Sequence, residues 1–242
     1  MDDATLKSTD SGEYDIDQET AASIGMLDQR IPARLNEIYR LLAEECSGLE
    51  AWRLALTFDL VKSVDRNCVE LRETMQKDRL SASAWIARNM LELLVWVKYC
   101  GVSRDNAWRF HEDSLRDAKG LMESNRRSCE VMGIKDEVSH DTAQRIKIVA
   151  SESLGLEDID SKFLNVAEAS KAEGVGLGDQ YPPFNRFLSK LAHPTAGLVH
   201  GMMHQAEICR NLQAACTTQG VYFAEQSTLA VEAQLAILHS DD

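Results

Sequence analysis

The chain has 242 residues, of which 44% are hydrophobic, so it is long enough to bury a sizeable core. Lys and Arg number 26 against 39 Asp and Glu, and the net charge of −13 disfavours broad, sequence-independent binding of nucleic acid through phosphate neutralisation. Six scattered cysteines without a C-x-x-C pair, and the lack of a secretory signal pattern, favour reduced thiols in a cytoplasmic protein. The most apolar stretch, 90–102, is shorter than the ~20 residues of a membrane-spanning helix, so we expect no membrane partner.

The first twenty residues carry seven acidic side chains against one basic one and lack apolar periodicity, which predicts a disordered acidic tail over 1–20. Beyond the tail, apolar residues recur at helical spacing, and strand patterns are almost absent. Helices are predicted over 26–48, 50–77, 81–100, 105–132, 136–154, 157–172, 182–191, a stretch reaching 216, and 221–238. We therefore predict an all-α, up-and-down helical bundle in which residues 21–242 form a single domain.

The predicted helix over 81–100 is apolar almost all the way round, which places it in the middle of the bundle. Ser81 is expected to cap its start and Gly101 to end it. The centre of the core is predicted along one of its faces, at Trp85, Met90, Leu93 and Val97.

The chain has a G-x-G-x-G pattern that resembles a nucleotide-binding loop, formed by Gly174, Gly176 and Gly178. A dinucleotide-binding fingerprint needs a preceding strand, and its third glycine would fall where this chain has Asp179. We interpret the segment as a flexible connector that leads into the next helix.

The stretch 181–195 carries the most pointed functional pattern. Its two prolines suit the first positions of a helix, where N–H groups lack partners anyway. At 100° per residue, one face of this helix collects a guanidinium, a hydroxyl, an ammonium and an imidazole, from Arg186, Ser189, Lys190 and His193. An imidazole, with an unperturbed pKa of about 6.5, can both take and give a proton at neutral pH. An ordinary solvated face of an amphipathic helix would show the same spacing, so the pattern alone leaves both interpretations open.

Arg186 followed after six residues by His193 resembles the R-x(4 to 6)-H motif of the HEPN superfamily, helical-bundle proteins that include metal-independent endoribonucleases. The order of a tyrosine, a leucine-serine pair and a histidine-proline pair resembles a HEPN-like family of bacterial helical proteins. That family also carries an arginine and a glutamate one turn apart on an earlier apolar helix, and Arg88 and Glu92 match this pair. The resemblance covers about 81–216. Where nuclease members usually have a polar residue after the arginine, this chain has Phe187.

The resemblance implies a homodimer whose catalytic residues are Arg186, which would stabilise charge on the phosphate, and His193, which would move protons. The residues expected to bind substrate are Tyr181, Ser189, Lys190, Arg88, Glu92 and His200. The implied function is RNA cleavage or RNA binding in a defence or toxin–antitoxin type system, with RNA or a nucleotide and an antitoxin-like protein as partners. We expect no cofactor. Phe187 and the negative charge favour an alternative, a non-catalytic binding or regulatory module that keeps the pocket without the chemistry.

Two further patterns keep other interpretations open. Arg88 and Glu92 have the i, i+4 spacing of an intrahelical ion pair, which is expected to be partly buried on so apolar a helix. His200, His204 and Glu207 fall on one helical stripe from which a metal could be bound, and this would make the chain a metal-dependent bundle enzyme. No second carboxylate motif accompanies the stripe, so we predict no metal site.

Overall fold

The chain folds as a bundle of helices in a computed structural model that describes residues 16–44, 51–75, 77, 79–136, 138–154, 163–193, 195, 198 and 205–240. The α-helices are α1 (Ile16–Gly25), α2 (Ile31–Glu44), α3 (Ala51–Met75), α4 (Leu80–Val102), α5 (Arg104–Met132), α6 (Val138–Leu154), α7 (Val166–Ala169), α8 (Tyr181–Ala192) and α9 (Ala206–Ser240). A π-helical turn, Met26–Arg30, joins α1 to α2. No strand occurs within these ranges, and none of their helices is long and apolar enough to cross a membrane. The predicted all-α bundle is confirmed.

Helix α4 lies at the centre of the bundle, as predicted, and packs against α3, α5, α8 and α9. Met90 and Val97 are buried as expected. Trp85 and Leu93 were wrong as centres of the core, because Trp85 is 46% exposed and Leu93 is only half-buried. The most buried line of α4 runs instead along Ala84, Ala87, Leu91 and Leu94. At 100° per residue Trp85 lies about 140° away from this line, on the side of α4 that meets α8.

The two ends of α4 differ from the prediction. Arg79 occupies the N-cap position and makes no capping bond with its side chain, so Ser81 belongs to the first turn instead of capping it. At the other end α4 continues through Gly101 to Val102, and Ser103 caps α5 by accepting the N–H of Asn106 at 3.1 Å. An added Cβ at Gly101 would collide with the side chain of Gln234 on α9, so close packing, and not a helix stop, accounts for this glycine.

Helix α9 is one continuous helix of 35 residues, whereas the sequence predicted a break near residue 220. A Cβ added to Gly220 would lie 2.7 Å from Cδ2 of Leu71 and 3.2 Å from Sδ of Met90. The glycine therefore lets α9 approach α3 and α4 closely in mid-helix. Its helix-weakening effect of about 1 kcal/mol is offset by this packing.

The first helices of the chain rest on the last one. Ser23 and Thr218 hydroxyls lie 3.4 Å apart, and Arg30 pairs with Glu225 at 3.0 Å. Residues 1–15 lie outside the described part, and the last five residues of the predicted acidic tail, 16–20, belong to α1.

Of the helix predicted over 157–172, residues 163–172 are described, and they contain only the single turn of α7; residues 155–162 lie outside the described part. Asn165 caps this turn by accepting the N–H of Ala167 at 2.8 Å. The preceding residue, Leu164, donates its N–H to the buried carboxylate of Asp113 at 2.6 Å. These two bonds hold the backbone before α7 outside a helical path.

Candidate functional site

Helices α4 and α8 pack antiparallel with matched register. Tyr181, the first residue of α8, lies near Glu92, whose charge raises the pKa of the tyrosine. One turn later Asn185 bonds to Arg88, and after the end of α8 the ring of His193 contacts Trp85. Each step of about four residues along α8 therefore corresponds to about one turn back along α4, and α8 ends at the same end of the bundle at which α4 begins.

A half-buried polar network holds α8 to α4. The Oδ1 atom of Asn185 accepts two hydrogen bonds, from Nε of Arg88 at 3.0 Å and from Oγ of Ser189 at 3.3 Å. Nη2 of Arg88 pairs with Oε1 of Glu92 at 3.0 Å, and both side chains are about a quarter exposed. The predicted ion pair is thus present, partly buried and linked to the neighbouring helix, which fixes the rotation of α8 about its axis.

Burial also changes the acidity of this network. It raises the pKa of Glu92 above its ordinary value, and the charge of Arg88 offsets this only in part. The pKa of Tyr181 is raised as well, first by burial and then by the charge of Glu92. Tyr181 is only 5% exposed, so it supports the network from inside the bundle and has little surface for a ligand.

The outer face of α8 carries two exposed cations, Arg186 and Lys190. Neither side chain forms an ion pair or a hydrogen bond with any part of the chain that the structure describes. The opposite face packs into the core, with Leu188 and Leu191 buried and Phe187 half-buried against it. The position after Arg186 is therefore occupied by a packing residue and offers no polar group.

His193 lies outside α8, and the prediction that it continues the helical face was wrong. The helix ends at Ala192, and the backbone of His193 is extended, with φ −104° and ψ 150°. The residue before a proline is biased away from helical conformation by contact with the proline ring, and Pro194 follows here. The exposed imidazole contacts Trp85 edge to face, with ring centroids 6.2 Å apart and an interplanar angle of 80°.

Two residues of this site were missed by the sequence interpretation, Asn185 and Trp85. Asn185 precedes Ser189 by four residues, and this i, i+4 spacing was the signal that both share one side of α8. Trp85 was assigned to the core because it shares one face of the apolar helix with Met90, Leu93 and Val97. It instead forms a platform between the imidazole of His193 and the guanidinium of Arg88, whose Cζ lies 6.0 Å from the ring centroid.

The glycine segment before α8 is a turn packed onto the core, where a flexible connector was expected. Gly174 and Gly176 have φ of 83° and 68°, a backbone conformation that favours glycine. Between and after them Val175 and Leu177 are buried. The carbonyl of Leu177 then accepts the N–H of Tyr181 at 2.8 Å, so the turn sets the position at which α8 begins.

The stripe of His200, His204 and Glu207 lies mostly outside the described residues. His200 and His204 fall there, and Glu207 is exposed in the first turn of α9. Among the residues whose positions are described, no group of His, Cys, Asp or Glu side chains could hold a metal ion. Burial raises the pKa of Cys68, Cys100 and Cys216 to about 12, which leaves these thiols protonated and poor nucleophiles.

Comparisons with family models, with curated proteins and with solved structures give no match to this chain. The resemblance to HEPN proteins therefore rests on the motif residues alone. The chemistry open to the site follows from the side chains that it exposes, Arg186, Lys190 and His193.

Proposed function

We propose that this chain binds single-stranded RNA on the outer face of α8 and cleaves it as a metal-independent, homodimeric endoribonuclease of the HEPN type. One observation carries the proposal. The half-buried bonds of Asn185 to Arg88 and Ser189 fix α8, while Arg186 and His193 beside them stay exposed and available to a ligand. Cleavage of a phosphodiester requires charged and proton-transferring groups that are held rigidly and are accessible to the substrate, and an exposed guanidinium and imidazole on a fixed helix meet this need.

The reaction uses the two groups in different ways. His193 takes the proton of a ribose 2′-hydroxyl, and the 2′-oxygen forms a bond to phosphorus. Arg186 donates hydrogen bonds to the non-bridging oxygens as negative charge builds on them. The bond from phosphorus to the 5′-oxygen then breaks, and that oxygen leaves with the proton returned by the imidazolium. The products are a 2′,3′-cyclic phosphate and a free 5′-hydroxyl, and no water or metal is consumed.

The need for a second copy follows from distance. His193 lies seven positions after Arg186, which would be about 10 Å along the axis if the helix continued that far. The end of α8 at Ala192 turns His193 away towards Trp85 and gives no reason for the two groups to converge within one chain. A two-fold dimer presents the same patch twice, so Arg186 of one copy meets the substrate of His193 from the other.

The test is cleavage of single-stranded RNA in the presence of EDTA. His193→Ala should lower the rate by about 10²- to 10⁴-fold and Arg186→Ala by about 10²- to 10³-fold, while the melting temperature stays unchanged. Arg127→Ala, which removes an exposed arginine of α5, is the matched control and should keep full activity. Cleavage that survives in both site variants would refute the assignment, and cleavage that stops with EDTA would favour a metal enzyme instead.

A second candidate is a non-catalytic RNA-binding or regulatory module. Phe187 favours it, because the position that is polar in HEPN nucleases packs against the core here. In that case wild type and His193→Ala would both leave RNA intact, and Arg186→Ala would still weaken RNA binding. A binding titration run beside the cleavage assay separates the two candidates.

The resemblance also suggests the setting, a defence or toxin–antitoxin type system with an antitoxin-like partner. Expression of the wild-type chain alone should then arrest growth of a bacterial host. His193→Ala at the same expression level should not, since its bundle is intact and its chemistry is lost. Equal growth with both chains would argue against a toxin.

A further inference from the structure

An open cavity of about 650 Å³ lies at the end of the bundle where α4 and α9 both begin. Its walls come from the first turn of α4 and the first two turns of α9, and include Arg79, Ser81, Cys209 and Arg210. We call it the Arg79–Arg210 cavity. Its volume lies within the range of about 300–1,000 Å³ that is typical of small-molecule sites, so a nucleotide would fit.

The charge of this cavity is opposite to that of the chain. Its described lining residues include two arginines and no acid, in a protein whose net charge is −13. Both arginines are exposed, and neither guanidinium forms an ion pair or hydrogen bond within the described ranges. Some exposed arginines elsewhere in the bundle are paired with acids, as Arg40 is with Glu37 and Glu44 and Arg126 is with Glu130. Two unpaired guanidinium groups around one cavity are suited to an anion with several oxygens.

The remaining walls suit a phosphate ester. The hydroxyl of Ser81 can donate a hydrogen bond, and the first N–H groups of α4 have no acceptor within the helix. Leu80, Ala82 and Ala206 supply an apolar surface beside these polar groups. An anion with an attached apolar body therefore fits the cavity better than a simple inorganic ion.

The cavity continues the surface of the proposed site. Ser81 and Trp85 are four residues apart on α4 and lie on the same side of that helix, one turn or about 6 Å apart. His193 contacts Trp85. A strand of RNA with one phosphate at His193 thus has the Arg79–Arg210 cavity within reach of a neighbouring nucleotide.

We propose that the Arg79–Arg210 cavity is a phosphate-binding subsite that holds the phosphate of a nucleotide adjacent to the cleaved bond. Its assignment to RNA rests on the proposed function, whereas phosphate binding itself does not. Arg79, Arg210 and Ser81 bind the phosphate, and the side chains of the apolar wall contact the nucleoside.

Occupancy of the cavity can be measured directly, because Cys209 lines it and is half-buried. Alkylation of each cysteine with iodoacetamide is followed by mass spectrometry, with and without inorganic phosphate or adenosine monophosphate at constant ionic strength. Cys129, the half-buried cysteine of α5, is the internal control. We expect either ligand to slow labelling of Cys209 several-fold and to leave Cys129 unchanged.

The protection should depend on the two arginines. In Arg79→Gln/Arg210→Gln neither ligand should protect Cys209. Arg66→Gln/Arg127→Gln, which removes two exposed arginines outside the cavity, should be protected like the wild type. Absence of protection in wild type, or equal protection in both double variants, would overturn the proposal whether or not the chain cleaves RNA.

RNA binding then identifies the source of the phosphate. Arg79→Gln/Arg210→Gln should weaken binding of a short single-stranded RNA roughly tenfold at low salt. It should also reduce the slope of log affinity against log salt by about 0.7 for each phosphate that the protein no longer neutralises. Protection by adenosine monophosphate together with unchanged RNA binding would overturn the RNA assignment and show that the cavity holds a free nucleotide.

Discussion

Asn185 shows how much of the site depends on one amide. Its Oδ1 atom accepts hydrogen bonds both from the neighbouring helix, through Arg88, and from its own helix, through Ser189. A carbonyl oxygen has two lone pairs, so both bonds use its full capacity. Arg88 is held from two sides, by this amide and by Glu92, which leaves its guanidinium with a fixed direction beside Trp85.

Asn185→Ala should lower the free energy of unfolding by about 1–3 kcal/mol, because it leaves a half-buried guanidinium without one of its acceptors. In an Arg88→Met background the same substitution should cost less, since the partner is already gone. Chemical denaturation of the four chains measures the coupling, which we expect at about 0.5–3 kcal/mol. Costs that add within about 0.5 kcal/mol would show that the hydrogen bond does not stabilise the fold.

Glu92 should make stability depend on pH. The pKa of the folded carboxyl is raised above its ordinary value of 4.5, so the folded chain holds this proton more tightly than the unfolded one. The stabilisation is complete below the unfolded pKa and is lost as the pH rises through the folded pKa.

Relative to Glu92→Gln, which cannot titrate, wild type should therefore lose stability as the pH rises from 4.5 through the raised pKa of the folded carboxyl. Urea denaturation of both chains across this range measures the difference. Glu123→Gln, an exposed carboxyl of α5, controls for the change in net charge. A difference that rises with pH would mean that pairing with Arg88 outweighs burial.

At this scale the sequence predicted what depends on helical spacing and missed what depends on a neighbouring helix. The exposure of Arg186 and Lys190, and the burial of Leu188 and Leu191, follow from a period of 3.6 residues. The exposure of Trp85 does not follow from this period, because α4 is apolar on every side. Only the packing of α8 against α4 decides which side of α4 stays exposed. Nothing within one helix could reveal that choice.

Among the helices, the role of the glycines was the hardest feature to predict from the sequence. Gly133 ends α5 with φ of 68°, as the sequence predicted. Gly101 was expected to end α4 in the same way, and Gly220 lies in the break that was predicted between residues 216 and 221. Both glycines instead lie within helices, where a neighbouring side chain comes too close for a Cβ. A terminating glycine and a close-packing glycine look alike in sequence, since the difference resides in the facing helix.

Gly220→Ala and Gly120→Ala should change stability in opposite directions. Each substitution gains helix propensity of up to about 1 kcal/mol. At Gly120 the added Cβ would meet only Phe163, at an ordinary 3.6 Å, so the gain should remain. At Gly220 the contact at 2.7 Å from buried Leu71 should cost about 1–3 kcal/mol, which exceeds the gain.

Thermal and chemical denaturation of the two glycine variants measure this difference in free energy of unfolding. The helical signal of both chains in the native state should match wild type, because neither substitution breaks a helix. A Gly220→Ala chain that is as stable as wild type would show that Leu71 moves aside without cost.

For the whole molecule, the composite site predicts that two inactive chains restore one another. Arg186→Ala and His193→Ala homodimers should each be inactive. After mixing under conditions that exchange subunits, each mixed dimer contains one site with both wild-type residues, which should recover about a quarter of wild-type activity. Sedimentation should show a dimer for all three samples. No recovery in samples that demonstrably exchange would place Arg186 and His193 in the same chain's site.

The contacts of α1 and α2 with α9 have a consequence for synthesis of the chain on the ribosome. The ion pair between Arg30 and Glu225 cannot form until Glu225, 195 positions further along, has been synthesised. At about 5–20 residues per second, synthesis of this stretch takes about 10–40 s. Throughout that interval the apolar stripe of α2, which includes Ile31, Leu35 and Ile38, lacks the helix that finally covers it. The nascent chain therefore exposes an aggregation-prone amphipathic segment for tens of seconds. Co-expression of a chaperone that binds such segments, or growth at lower temperature, should raise the yield of folded protein.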